Sequence, residues 1–143
     1  MKKKLCILLC IATTLFCGCR TSRSDLRFGA ANIGGMYYAF ANTFATLSNE
    51  NTDSYTVEVR STAGSAANLR LLSDNYLELG IAQADILEES YKNNQNLRAI
   101  SGLYTEACQL VVREHSDIHS LADLAGHSIS VGDTESGTEK NAN

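Results

Sequence analysis

The chain has 143 residues, 44% of them hydrophobic and 20% charged, with a formal net charge of −4. That length suits a single domain. Setting aside the three lysines at positions 2–4 leaves 16 acidic against nine basic residues, and this acidic balance excludes a nucleic-acid footprint and an electrostatic hold on anionic lipid.

Lys2, Lys3 and Lys4 precede an uncharged apolar run from Leu5 to Cys17, followed by Gly18 and Cys19. A basic start, a short apolar core and a small residue before a cysteine describe a bacterial lipoprotein signal peptide over residues 1–18. The run is shorter than the ~20 residues of a membrane-spanning helix. Phe16-Cys17-Gly18-Cys19 resembles the lipobox, with Phe16 where leucine is usual, so Cys19 is expected to carry lipid and to anchor the protein to a membrane. Residues 19–26 then form a polar tether. Of the five cysteines, Cys6, Cys10 and Cys17 leave with the signal peptide, and a lipidated Cys19 leaves Cys108 without an intramolecular partner. The expected domain is extracytoplasmic, free of disulfides and held by its core.

At Arg27 the composition changes. Phe28 opens a short strand, Gly29 to Gly35 is a turn of little side-chain bulk, and Met36, Phe40, Phe44 and Leu47 recur at helical spacing. A glycine turn running into a helix exposes the first backbone N–H groups to an anion, although the same glycines also suit close helix–strand packing. Neither G-x-G-x-x-G nor a phosphate-loop Lys-Ser or Lys-Thr is present, so the sequence calls for no nucleotide cofactor. Tyr37 and Tyr38 cannot both face the core, and one hydroxyl is expected at the sheet edge.

After a polar turn at Asn49–Ser54, the stretch Val57 to Asp85 reads as strand, hydroxyl-rich turn, helix, strand and second polar turn. Such a βαβ unit implies parallel strands, with both turns at the carboxyl edge where ligands of open α/β sheets bind. Ser61, Thr62 and Ser65 place three hydroxyls in five residues; Ser65 suits a helix cap or a ligand contact equally. Asp74-Asn75 closes the helix. Gln83, an amide at a strand end, both donates and accepts and so suits a polar ligand. Asp85 reads as a cap of the following helix, whose apolar face carries Ile86, Leu87 and Tyr91.

Farther on, Leu97–Tyr104, Ala107–Arg113 and Ser128–Gly132 are apolar enough for strands. Ser120–Gly126 reads as a short helix opened by an S-x-x-D capping pattern. Asp133 to Thr138 is a last polar loop with a helix just starting. An enzyme finds little support: Ser65 and Ser136 lack the G-x-S-x-G context, and His115, His119 and His127 lack an H-E-x-x-H helix and read as solvated loop residues rather than metal ligands.

Gly34-Gly35-Met36-Tyr37-Tyr38, Thr62-Ala63-Gly64-Ser65 with Asn68-Leu69-Arg70-Leu71-Leu72, and Leu79 to Asp85 occur in that order. Ser120-Leu121-Ala122-Asp123-Leu124, Val131-Gly132-Asp133 and Ser136-Gly137-Thr138 follow. Together these motifs resemble the amino-terminal part of solute-binding proteins of the TAXI family, the receptors of one class of tripartite ATP-independent periplasmic (TRAP) transporters. The resemblance covers nearly all of Arg27 to Asn141, with Ala63 where a glycine is common. It implies a type II periplasmic-binding-protein fold, α/β in class, with a first lobe over residues 27–106 and the crossover and incomplete start of a second over 107–143. A full member is about twice as long, so the sequence reads as a fragment.

The implied function is capture of a small organic anion or amino acid, such as glutamate or a dicarboxylate, and its delivery to TRAP membrane subunits. Gly34, Gly35, Tyr37, Thr62, Ser65, Gln83, Ser136 and Thr138 are the candidate contacts, with Arg60 as a possible source of full charge. A surface or sensory lipoprotein of the same fold is the alternative.

Overall fold

A computed structural model describes residues 24–143. The expected signal peptide, the expected lipidation site at Cys19 and the expected tether up to position 23 lie outside the described residues. The elements run β1 (Ser24–Gly29), α1 (Met36–Asn51), β2 (Tyr55–Arg60), α2 (Ser65–Ser73), β3 (Leu79–Gly80), α3 (Ala84–Asn93), a 3₁₀ turn (Leu121–Leu124) and α4 (Gly137–Ala142). The result is a mixed α/β structure built on a small sheet of order β2-β1-β3.

Both strand pairs are parallel, with Ser24 opposite Tyr55 through Gly29 opposite Arg60, and Phe28 opposite Leu79. Parallel strands put the loops that follow them, residues 30–35, 61–64 and 81–83, on one edge of the sheet. β1 begins at Ser24, inside the stretch expected as tether, because Tyr55, Thr56 and Val57 supply ladder partners for Ser24, Asp25 and Leu26. The Asn49–Ser54 turn is shorter than expected, since α1 continues to Asn51. Its reason lies in Asn49, whose side-chain amide donates to the Val57 carbonyl at 3.0 Å and accepts from the Val57 N–H at 2.7 Å. β3 is reduced from the expected Leu77–Ala82 because the Leu77 N–H turns back to the Leu71 carbonyl at the exit of α2.

Two apolar clusters hold this part together. Phe28, Ala30 and Val57 pack with Ala41 and Ala45 of α1, while Leu69 of α2 packs with Ile86 of α3 and Leu97. Phe28 meets Phe44 edge to face at 5.5 Å, an arrangement the ring quadrupoles favour. The small residues Ala41 and Ala45 let the helix approach closely.

The strands expected at Leu97–Tyr104, Ala107–Arg113 and Ser128–Gly132 do not form. Strand propensity becomes a strand only where a neighbour completes the ladder, and among the described residues none flanks these segments. Ile100 and Val111 are accordingly 85% and 84% exposed. The short helix at Ser120 does form as a 3₁₀ turn, because its signal is local: the Asp123 carboxylate accepts from the Ser120 N–H at 2.8 Å and the His119 N–H at 3.0 Å. Those bonds, the one from His119 foremost, hold the Asp123 carboxyl below its ordinary pKa.

Candidate functional site

The site's frame starts from one fully buried polar side chain, Asn68 on α2. Its amide donates to the Ala30 carbonyl of the loop after β1 and, at 2.8 Å, to the Ile81 carbonyl after β3. Its oxygen accepts from the Thr62 hydroxyl of the loop after β2 at 2.6 Å. One side chain thereby joins all three strand-end loops. A buried amide so completely paired is stable in place and costly to remove. Gly29 leaves room for it, since a Cβ there would lie 2.6 Å from Asn68 Oδ1 and 2.3 Å from Leu77 Cδ1.

Three helices begin at this edge, and none has a side-chain cap bond. Gly35 precedes α1, Gly64 at φ +124° precedes α2, and Gln83 precedes α3. Ser65 is therefore not the cap; Gly64 occupies that position. The buried Ser65 hydroxyl oxygen instead accepts from the Gln83 N–H at 3.1 Å, tying the starts of α2 and α3 together. Asp85 is likewise inside its helix rather than at the cap, where its carboxylate accepts from the Ile86 N–H at 2.9 Å. By contrast, Ser136 does cap α4, accepting from the Glu139 N–H at 3.0 Å.

Gly35, Tyr37, Ser65, Gln83, Ser136 and Thr138 line one cavity of about 350 Å³. Gly34 and Thr62 do not line it; Gly34 supplies a left-handed turn at φ +91°, and the Thr62 hydroxyl is engaged by Asn68 and the Ala30 carbonyl. A larger groove of about 1840 Å³ lies between the β3 side of the sheet and residues 97–110, and its walls are mostly apolar. The helix starts and hydroxyls converge on the smaller cavity, and Tyr37, Gln83 and Thr138 border the groove as well.

The residues of this edge beyond the candidates include Asn68 in the frame, and Asn32, Glu106, Asp133 and Gly137 at the cavity. The Tyr37 hydroxyl donates to Glu106 at 2.8 Å, with the Tyr104 ring 6.3 Å away. Burial first, and then the Glu106 carboxylate, push the Tyr37 phenol far above its ordinary pKa, so it stays protonated and a donor. The Asn32 amide donates to the Asp133 carboxylate. Among the described residues no lysine, arginine or histidine lines the cavity, and Arg60 pairs with Glu58 at 2.6 Å instead. Gly137 packs against the first turn so tightly that a Cβ on it would lie 1.6 Å from Gln83 Oε1, a buried acceptor without a hydrogen-bond partner.

Chemically, the cavity offers two unlike kinds of group. Uncapped helix starts present N–H groups and partial positive charge to a carboxylate. Glu106 and Asp133 present negative charge and acceptors to an N–H-bearing group. Cys108 is an exposed free thiol, and His115, His119 and His127 are exposed. Among the described residues, no group of three His, Cys, Asp or Glu side chains could hold a metal ion, and no helix is long and apolar enough to cross a membrane.

Set against known protein families, residues 28–143 match the NMT1-like family. That is a solute-binding type of family with a periplasmic-binding-like fold, usually extracytoplasmic and not typically enzymatic. With strand-end loops converging on a polar cavity and a match across most of its length, the chain belongs to the NMT1-like family.

Proposed function

We propose that this protein is the extracytoplasmic receptor of a TAXI-type TRAP transporter, and that it captures a free amino acid, handing it to the membrane subunits. Residues 27–106 act as the first lobe of a type II binding fold and 107–143 as the crossover and start of the second, with Cys19 as the lipid anchor. The observation that carries the reading is the meeting at one cavity of two helix starts without side-chain caps, those of α1 and α2, with Gln83 at the head of α3. These N–H groups receive the solute's carboxylate without any arginine. Glu106 and Asp133 favour an amino acid over a simple dicarboxylate, because they offer acceptors to an ammonium group that the dicarboxylate lacks, and among the described residues no cation lines the cavity to offset an unbalanced second carboxylate.

Titration calorimetry of the full chain with L-glutamate and with succinate tests this. L-Glutamate is expected to bind and succinate to bind far more weakly. Gln83→Ala is expected to weaken L-glutamate binding by about fivefold, the scale of one hydrogen bond. Preference for succinate, or binding of neither, overturns the reading.

A further inference from the structure

We infer that Arg70 and Glu135 form a latch that holds the Asp133–Thr138 loop against the start of α2 and thereby sets the mouth of the cavity. Arg70 lies on α2 outside the cavity lining, so it has no part in holding a solute directly. Its guanidinium nevertheless grips Glu135 with two parallel bonds, Nε to Oε1 at 2.7 Å and an Nη to Oε2 at 2.8 Å. A planar fork on a carboxylate fixes orientation as well as distance.

The backbone beneath that fork is joined too. The Ala67 N–H, in the first turn of α2, donates to the Glu135 carbonyl at 3.1 Å. Glu135 itself has a left-handed backbone at φ +64°, a conformation that side chains other than glycine rarely adopt. The neighbouring contacts hold it there: its N–H donates to the Glu139 carboxylate at 2.7 Å, and the Glu139 N–H returns to Ser136. The loop so fixed carries Asp133, Ser136, Gly137 and Thr138 onto the cavity, and brings Ser136 Cα to 3.5 Å from where a Gly64 Cβ would stand. The starts of α2 and α4 thus lie side by side, and their like partial charges make a tie between them useful. Both latch side chains are about half exposed, so the tie is reversible rather than permanent.

The consequence for solute affinity rests on the function proposed above; the latch itself does not. The test compares the full chain with Arg70→Lys, which keeps the charge and loses the fork, with Glu135→Gln, and with the charge-swapped pair Arg70→Glu and Glu135→Arg. Amide hydrogen exchange is read at Ala67, with the Val57 amide in the sheet as internal reference, and L-glutamate affinity is read by calorimetry. Each single substitution is expected to speed exchange at Ala67 and to weaken L-glutamate binding, both by roughly threefold, while Val57 is unchanged and the swapped pair recovers. Unchanged exchange at Ala67 in both single variants overturns the latch. Faster exchange with unaltered L-glutamate affinity overturns its control of the mouth. If the unaltered chain binds no L-glutamate, the proposed solute falls, while the Ala67 exchange still decides whether the latch exists.

Discussion

Residues 24–97 and residues 98–143 solve the same problem differently. The first region contains every buried hydrophobic side chain among the described residues, from Phe28 to Leu97. The second contains none, yet it brings Glu106, Asp133, Ser136, Gly137 and Thr138 to the cavity. It is placed by polar ties: Tyr37 to Glu106, Asn32 to Asp133 and Arg70 to Glu135. Apolar burial organises one side of the site and hydrogen bonding organises the other. Hydrogen bonds exposed to water contribute little each and open readily, so the second side is the one free to respond to a solute.

The sharpest way to break this contrast is to remove one large apolar side chain from each region. Phe28→Ala deletes a buried ring and is expected to cost about 3 to 5 kcal/mol of unfolding free energy. Val111→Ala, at an 84% exposed position, is expected to stay within about 0.5 kcal/mol. Chemical denaturation of both variants decides it, and comparable losses would show that residues 98–143 share the core.

A smaller effect is expected at the junction. Gly137→Ala places a Cβ 1.6 Å from Gln83 Oε1 and 2.9 Å from the Ser65 hydroxyl, so the start of α4 must move away. Affinity for L-glutamate should fall about tenfold, on the scale of a moderate overpacking penalty, with the denaturation midpoint of the sheet region unchanged. A midpoint that falls in step would place the junction within the core.

The smallest effect concerns acid. Arg27 donates to Glu78 at 2.6 Å, and that hydrogen bond, ahead of the backbone and charge contributions, holds the Glu78 carboxyl below its ordinary value of 4.5. A depressed folded pKa stabilises above the unfolded value and is lost as pH falls through the folded one. Melting temperature should therefore drop on acidification below 4.5 more steeply in the unaltered chain than in Glu78→Gln. Parallel curves would remove this pair, which is about one-third exposed, from the stability of the first region.

How much of this was legible in the sequence follows the same division. Periodicity and turn chemistry are local, so the βαβ unit, the start of α2 at Ser65 and the Ser120–Asp123 turn emerge close to where they were expected. Strands after Leu97 were misread because apolar alternation cannot reveal whether a ladder partner exists. At the site, Thr62 was legible as a polar residue of the right loop but not as one turned inward, since its partner Asn68 lies six positions on and is oriented by Ala30 and Ile81. Asn68 itself carried a usable signal, an amide set beside Leu69 in a helix of apolar spacing. Asp133 was legible only as part of a polar loop and Glu106 not at all, because each reaches the cavity through a contact spanning 101 or 69 residues.

The bond pair between Asn49 and Val57 has a bearing on assembly. β2 is an outer strand, and Val57 turns both its backbone groups away from β1 into the asparagine amide. An extended peptide approaching that margin finds the middle rung already filled, and docking there means first evicting a side chain. Among the described residues, the β2 flank of the sheet is therefore obstructed at its middle rung.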